Sequence, residues 1–243
     1  ILNRDYLYIS IGSNTNSGIV DENNKNEDKA SFEWESTGIG YNNNYAFVPF
    51  GEKVIEGQKI KENVLSNASI LRYDLNSNEF ITYATGIRNV EGLAIDSLGK
   101  LTAIVGGMED SGVRAVKDDA DYIYNIKEKA WYGWPDFSGG DPITSPRFSD
   151  GTNKLSFVIA NHPTEVILGP RYQHDKVASL KGLTIDYEGK CFPKDTVIFA
   201  DNVDNYIYVL TENDTSKVIV ELDKDSHIEK IKYNDANIYI LDS

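Results

Sequence analysis

The chain is poor in features that would have named its chemistry outright. Cys191 is its only cysteine, so neither an intrachain disulfide nor a cysteine-built zinc site is available. No hydrophobic run approaches the roughly 18 residues that a spanning helix needs. Positive charge is scarce: 24 Lys and Arg against 38 Asp and Glu leave a formal charge of −14. Binding to a phosphate backbone requires clustered Lys and Arg, so nucleic acid is excluded as a partner. Long amphipathic helical patterns are scarce as well. The chain starts at Ile1 rather than Met, which is expected of a processed protein or an excerpt of a longer one.

What is present is β-structure. Short runs rich in Ile, Val and Tyr recur, bounded by Asn, Asp and Gly: Tyr6–Gly12, Ser69–Leu75, Tyr122–Ile126, Thr196–Asp201, Tyr206–Leu210, Lys217–Leu222 and Ile238–Leu241. They alternate or are wholly apolar, the pattern of short strands joined by tight turns. A repeat sharpens this. GLAIDSLGK (Gly92–Lys100) and GLTIDYEGK (Gly182–Lys190) share Gly, Leu, Ile, Asp, Gly and Lys in register, and their starts lie 90 residues apart. That is about two units of roughly 45 residues, the size of a four-stranded propeller blade. In this reading Gly lets neighbouring strands approach, the apolar pair enters the core, and Asp-x-x-Gly turns the chain. The expected fold class is all-β: a β-propeller of four-stranded blades, about four to five of them, in one domain over residues 1–243. Long loops are expected at Asn14–Glu33, Tyr41–Asn67, Gly106–Ala120 and Gly133–Pro163, the first as a floppy excursion.

The segment KAWYGWPDFSGGDP (Lys129–Pro142) concentrates aromatics among turn formers. Trp131 and Trp134 are expected to fill the gap between adjacent blades, with Pro135 and Gly139–Gly140 steering the chain over the propeller face. Stacking of a sugar on an exposed Trp is the functional alternative.

Several blocks, in order, resemble the soluble quinoprotein glucose/sorbosone dehydrogenase-like propellers. They are VPFGEKVIEGQKIKENVL, ASILRYDLNSNEF, GIRNVEGLAID, ADYIYNIKEKAWYGWPDFSGGDPITSPRF, IANHP and YQHDKVASLKGLTID. The resemblance implies a six-bladed propeller, of which this chain is a fragment lacking N-terminal blades or a shortened version. In catalytic relatives pyrroloquinoline quinone (PQQ) sits on calcium, a His removes the sugar proton, and hydride passes to the quinone. By the same resemblance Arg88 and Asn89 match the pair that touches the quinone, with Val90 where the family has Pro. Gly107 and Met108 fall where two backbone carbonyls hold the calcium. Asp121 and the backbone oxygen of Tyr132 match a structural calcium site, with Asp118 and Asp119 beside it.

The resemblance also exposes departures. The stretch Asn14–Val64, where the family's base would sit, contains no His. His162 and His174 remain as candidate bases, and each reads equally as a hydrogen-bonding structural residue; His227 sits in a charged turn. Val203 stands where the family has a Lys, and the closing Arg-x-Arg reduces to Lys230 and Lys232. PQQ has three carboxylates, and each lost cationic partner costs about 2–5 kcal/mol. The preferred expectation is therefore a non-catalytic propeller acting as a binding module for a carbohydrate, a calcium ion or another protein. The alternative is a PQQ- and calcium-dependent sugar dehydrogenase. An extracellular or cell-surface location is expected with either.

Overall fold

The computed structural model describes residues 1–22, 25–149, 151, 154–176 and 179–243. The first sheet starts with β1 (Leu2–Asn3) and β2 (Tyr6–Ile11), after which the chain leaves for a long loop carrying the hairpin β3 (Trp34–Thr37) and β4 (Glu56–Ile60). It returns as β5 (Ser69–Asp74) and β6 (Glu79–Thr85). The second sheet begins with β7 (Asn89–Ile95), β8 (Leu101–Gly106) and β9 (Ala120–Ile126). Then β10 (Ala130–Trp131) runs parallel along β6, and a small ribbon follows, β11 (Phe137–Ser138) with β12 (Asp141–Pro142). β13 (Tyr172–Lys176) returns to β9 and completes the second sheet in the order β13-β9-β8-β7. The third sheet is a simple meander of β14 (Leu180–Asp186), β15 (Thr196–Asp201), β16 (Tyr206–Leu210) and β17 (Ser216–Glu221). β18 (Ile228–Asn234) and β19 (Asn237–Asp242) form the final hairpin. Antiparallel sheets linked outer strand to inner strand are propeller blades, but the two repeat copies open successive sheets, so their 90-residue interval is one blade with its long loops and not two units of about 45. Among the described residues no helix is long and apolar enough to cross a membrane.

The two repeat copies occupy equivalent places, β7 and β14, and their glycines do the same job. A Cβ on Gly92 would lie 2.7 Å from Leu183 Cβ, and one on Gly182 would lie 2.8 Å from the Ile231 nitrogen. Each glycine thus admits the inner strand of the next blade. All three inner pairings carry a register shift at this level, between Val90 and Gly92, Lys181 and Leu183, and Ile228 and Lys230. The repeat aspartates make the turns: Asp96 accepts from the Leu98 and Lys100 amides, and Asp186 from those of Gly189, Lys190, Cys191 and Phe192. Burial pushes the Asp186 carboxyl up, but these amides outweigh it and hold it below the usual carboxylate range. Ile1 and the inner strands converge on a groove of about 470 Å³ bearing Lys230 and Lys232.

Register puts Ile11, Ser69, Thr85, Asn89, Gly106 and Ala120 at one end of the first two sheets. The long loops spring from that end and build a layer with its own core, in which Trp34, Phe47, Met108, Trp131, Trp134, Ile143 and Phe148 are buried together. Here the structure differs from the expectation for the two indoles. Trp131 and Trp134 do not fill a gap between blades; they anchor the loop layer. The cause is local. The chain leaves β10 through Gly133 at φ 106°, and Gly86 gives the Trp131 ring room to turn away from the sheet. Tyr132 joins the blade core beside Tyr122 and Tyr124, with Ala130 packed against it. The first loop is likewise anchored. Asp28 is buried and accepts from the Asn14 and Thr15 amides and the Thr15 hydroxyl. Burial pushes its carboxyl up to about 6.

Candidate functional site

Arg88 immediately precedes β7, at the end of the sheets that carries the loops. Its guanidinium is spent inside the protein. Nε donates to the Asn16 carbonyl at 3.1 Å, Nη1 to the Gly107 carbonyl at 2.6 Å, and Nη2 to Glu109 Oε1 at 3.1 Å. Trp134 Nε1 donates to the same Asn16 carbonyl at 3.1 Å. The Asn16 side chain completes the clamp, accepting from the Glu109 amide and donating to the Glu109 and Ser111 carbonyls. Asn16 therefore ties the first loop to the β8–β9 loop across Arg88. Nothing in the sequence singles it out among many asparagines.

Asn89 is committed too. Its Oδ1 accepts from the Ser13 amide at 3.1 Å, and a Cβ on Gly12 would lie 2.3 Å from that oxygen. Gly107 is pressed against β9, where a Cβ would lie 2.3 Å from the Ala120 carbonyl. Its amide donates to Asp121 Oδ1 at 3.0 Å, and the Met108 amide donates to Asp119 Oδ2 at 2.7 Å. The Met108 side chain points away into the loop-layer core. Asp121 spends its other oxygen on the Leu180 amide at 2.9 Å, linking the second blade to the third. Burial pushes its carboxyl up, against the pull of those two amides. Tyr132 serves the far end of β9: its hydroxyl donates to the Asn125 carbonyl and accepts from the Lys127 amide. Burial moves that phenol up to about 12.

Two hollows open around Arg88. One, of about 380 Å³, is lined by Ser13–Asn16, Asp21, Arg88, Asn89, Glu109, Ser111 and Gly112. The other, of about 230 Å³, is lined by Gly107–Asp110, Val116, Asp118, Asp119 and Asp121. Glu109 lines both. Among the described residues the first lining holds one cationic side chain, Arg88, which is already paired, and the second holds none.

The candidate histidines lie elsewhere. His162 is stacked on Trp131 at a centroid distance of 5.4 Å and held edge-on by Phe137 and Phe157. Its Nε2 lies 3.1 Å from Asp136 Oδ2. Asp136 is fully buried with Arg114, which donates to Asp136 Oδ1 at 2.7 Å and to the carbonyls of Ser17, Pro135 and Ser156. The Val158 and Ile159 amides complete the carboxylate's shell. This ion pair locks three loops together, and no sequence motif marks it. His174 is buried on β13 at the junction of the second and third blades, with Nε2 3.2 Å from Asp201 Oδ2. His227 is exposed beside Glu229. None of the three borders the hollows around Arg88.

No family model matches the chain, and no curated protein does. Solved structures do. The holo pyranose dehydrogenase PQQ domain from Coprinopsis cinerea matches with a TM-score of 0.52 over 98% of this chain and 64% of that one. This chain has the fold of the soluble PQQ-dependent sugar dehydrogenases. The apo soluble aldose sugar dehydrogenase from Escherichia coli has a TM-score of 0.50, and a glucose dehydrogenase one of 0.51. Each covers 72% of this chain and 51% of its own. Identities are 11% to the first and 15% to the other two, so the likeness is one of fold. The chain spans between about half and two thirds of the length of these structures.

Proposed function

We propose that this chain is a sugar-dehydrogenase-like propeller that works as a binding module without quinone chemistry. The observation that carries the reading is the placement of Arg88. The resemblance assigns the Gly107 carbonyl to a calcium ion and Arg88 to the quinone. Here the guanidinium itself sits on that carbonyl at 2.6 Å. A calcium ion at the same oxygen would meet a cation within hydrogen-bonding distance, and calcium requires six to eight oxygen ligands. The quinone is no better served. Its three carboxylates would enter hollows lined by Asp21, Glu109, Asp110, Asp118, Asp119 and Asp121, where among the described residues the one cation, Arg88, is already paired. The residues present do not fit the PQQ–calcium pair.

The hollows suit another class of ligand. The amide, hydroxyl and carboxylate groups of these two hollows suit a polyhydroxylated or cationic ligand better than a tri-anion. A carbohydrate, or a protein loop presenting such groups, is the proposed occupant, and an extracellular or cell-surface location goes with it. The alternative, a PQQ- and calcium-dependent dehydrogenase, rests on fold, and fold does not fix function. A dye-coupled assay with PQQ, calcium and a panel of aldoses separates the two. The binding-module reading expects no turnover above the protein-free blank; aldose-dependent dye reduction that is lost on removing PQQ would reject it.

A further inference from the structure

The junction between the second and third blades holds a group of side chains that the reading above does not use. His174 comes from β13, the outer strand of the second blade. Asp201 ends β15 of the third blade, and Asp204 lies in the turn that follows. One ligand atom from each lies within 4.8 Å of the others. His174 and Asp201 are buried, whereas Asp204 is exposed.

The hydrogen bonds around this group leave particular atoms facing one another. The Tyr172 hydroxyl donates its single proton to Ser216 Oγ at 2.9 Å. Its oxygen is then the acceptor for His174 Nδ1, 2.8 Å away. In the Nδ1–H tautomer that this bond admits, the Nε2 lone pair faces Asp201 Oδ2 at 3.2 Å. The other carboxylate oxygen, Oδ1, is taken by the Ser179 and Val203 amides. Two lone pairs so placed need a positive charge between them, either a proton or a cation. The orienting bond from the far ring nitrogen and the amide-anchored carboxylate are the outer supports that metal ligands receive.

We propose that His174, Asp201 and Asp204 form a binding site for a divalent first-row cation of the zinc type, which joins the second and third blades. Bonds of about 2.0–2.2 Å from one ion to Nε2 and Oδ2 would set those atoms roughly 3.2 Å apart at an angle near 100°, the separation the structure has. The imidazole ligand favours zinc, copper, iron or nickel over calcium, which is held by oxygen alone. Two carboxylates balance the charge of the ion, and three protein ligands leave a coordination position for water.

Calorimetry with zinc chloride as the probe, on the full chain stripped of metal, tests this. One saturable site per chain is expected. Asp204→Asn should weaken zinc binding at least 10-fold, and its exposed position leaves the fold intact. His174→Asn should weaken it at least as much. Zinc at a hundred times its Kd should raise the melting temperature of the unaltered protein by roughly 5–10 °C. Absence of a saturable site, or an affinity unchanged in Asp204→Asn, would leave only a His–Asp ion pair and overturn the proposal.

Discussion

Arg88 Nη1 donates to the Gly107 carbonyl oxygen at 2.6 Å. One contact thus joins the residue that resemblance assigns to a cofactor with the residue it assigns to a metal, and satisfies each with the other. Arg88→Met should leave the Gly107 carbonyl unpaired, while Trp134 still serves the Asn16 carbonyl, at a cost of about 1–3 kcal/mol, seen as a lower urea midpoint at unchanged slope. Added calcium should not restore the loss. The Glu109 contact adds little, because that carboxylate is 66% exposed.

The buried Arg114–Asp136 pair predicts a larger effect. Both side chains are fully buried, so removing one partner strands the other charge. Arg114→Met and Asp136→Asn should each cost about 3–5 kcal/mol, measured by urea denaturation. Arg114→Lys should fail to rescue, because an ammonium cannot match four contacts set by a planar fork.

Asp121 predicts a negative result for calcium. Its two oxygens cap the Gly107 and Leu180 amides and tie the second blade to the third. Millimolar calcium should move the melting temperature by less than about 1 °C, since only a ligand that binds the native state stabilises it. Asp121→Asn should cost about 1–2 kcal/mol through the amide that loses its acceptor. A calcium-dependent rise of several degrees would restore the structural-calcium expectation.

Asp28 predicts a pH dependence. Its folded value of about 6 lies above its reference of 3.8, so the native state binds more protons than the unfolded chain between those values. Stability from this group therefore falls as pH rises through that window and reaches its minimum above the folded value. Relative to Asp28→Asn, the unaltered protein should gain about 1–1.5 kcal/mol between pH 8 and pH 5. A constant difference between the two across that range would contradict the assignment.

The fold could be read from the sequence wherever local chemistry and blade geometry agree. Thr196–Asp201 and Tyr206–Leu210 form strands with the expected bounds, and the GLAID and GLTID copies land on equivalent inner strands because each needs a glycine at the same close approach. The loop layer was not readable in this way. Trp131 and Trp134 have the composition of blade filler, and their true neighbours, Trp34 and Phe47, come from a loop about a hundred residues earlier in the chain. The hairpin β3–β4 fell partly inside an expected loop because EGQKI (Glu56–Ile60) lacks the Val, Ile and Tyr enrichment of the other strands. Resemblance gave Arg88 and Asn89 to a quinone, Gly107 and Met108 to its calcium, and Asp121 to a separate calcium site. It could not reveal that Gly107 binds both Arg88 and Asp121, because that depends on loops whose closure no local pattern encodes.

The measurement that bears most directly on the central claim is an equilibrium titration of the purified chain with PQQ in excess calcium, followed by tryptophan fluorescence. Trp134 donates to the same Asn16 carbonyl as Arg88, so an occupant of the Arg88 hollow should perturb its emission. With Arg88 committed and acids lining the hollows, no saturable change is expected up to high micromolar PQQ. Saturable, calcium-dependent binding at low micromolar PQQ or tighter would contradict the account and return the chain to the quinoproteins.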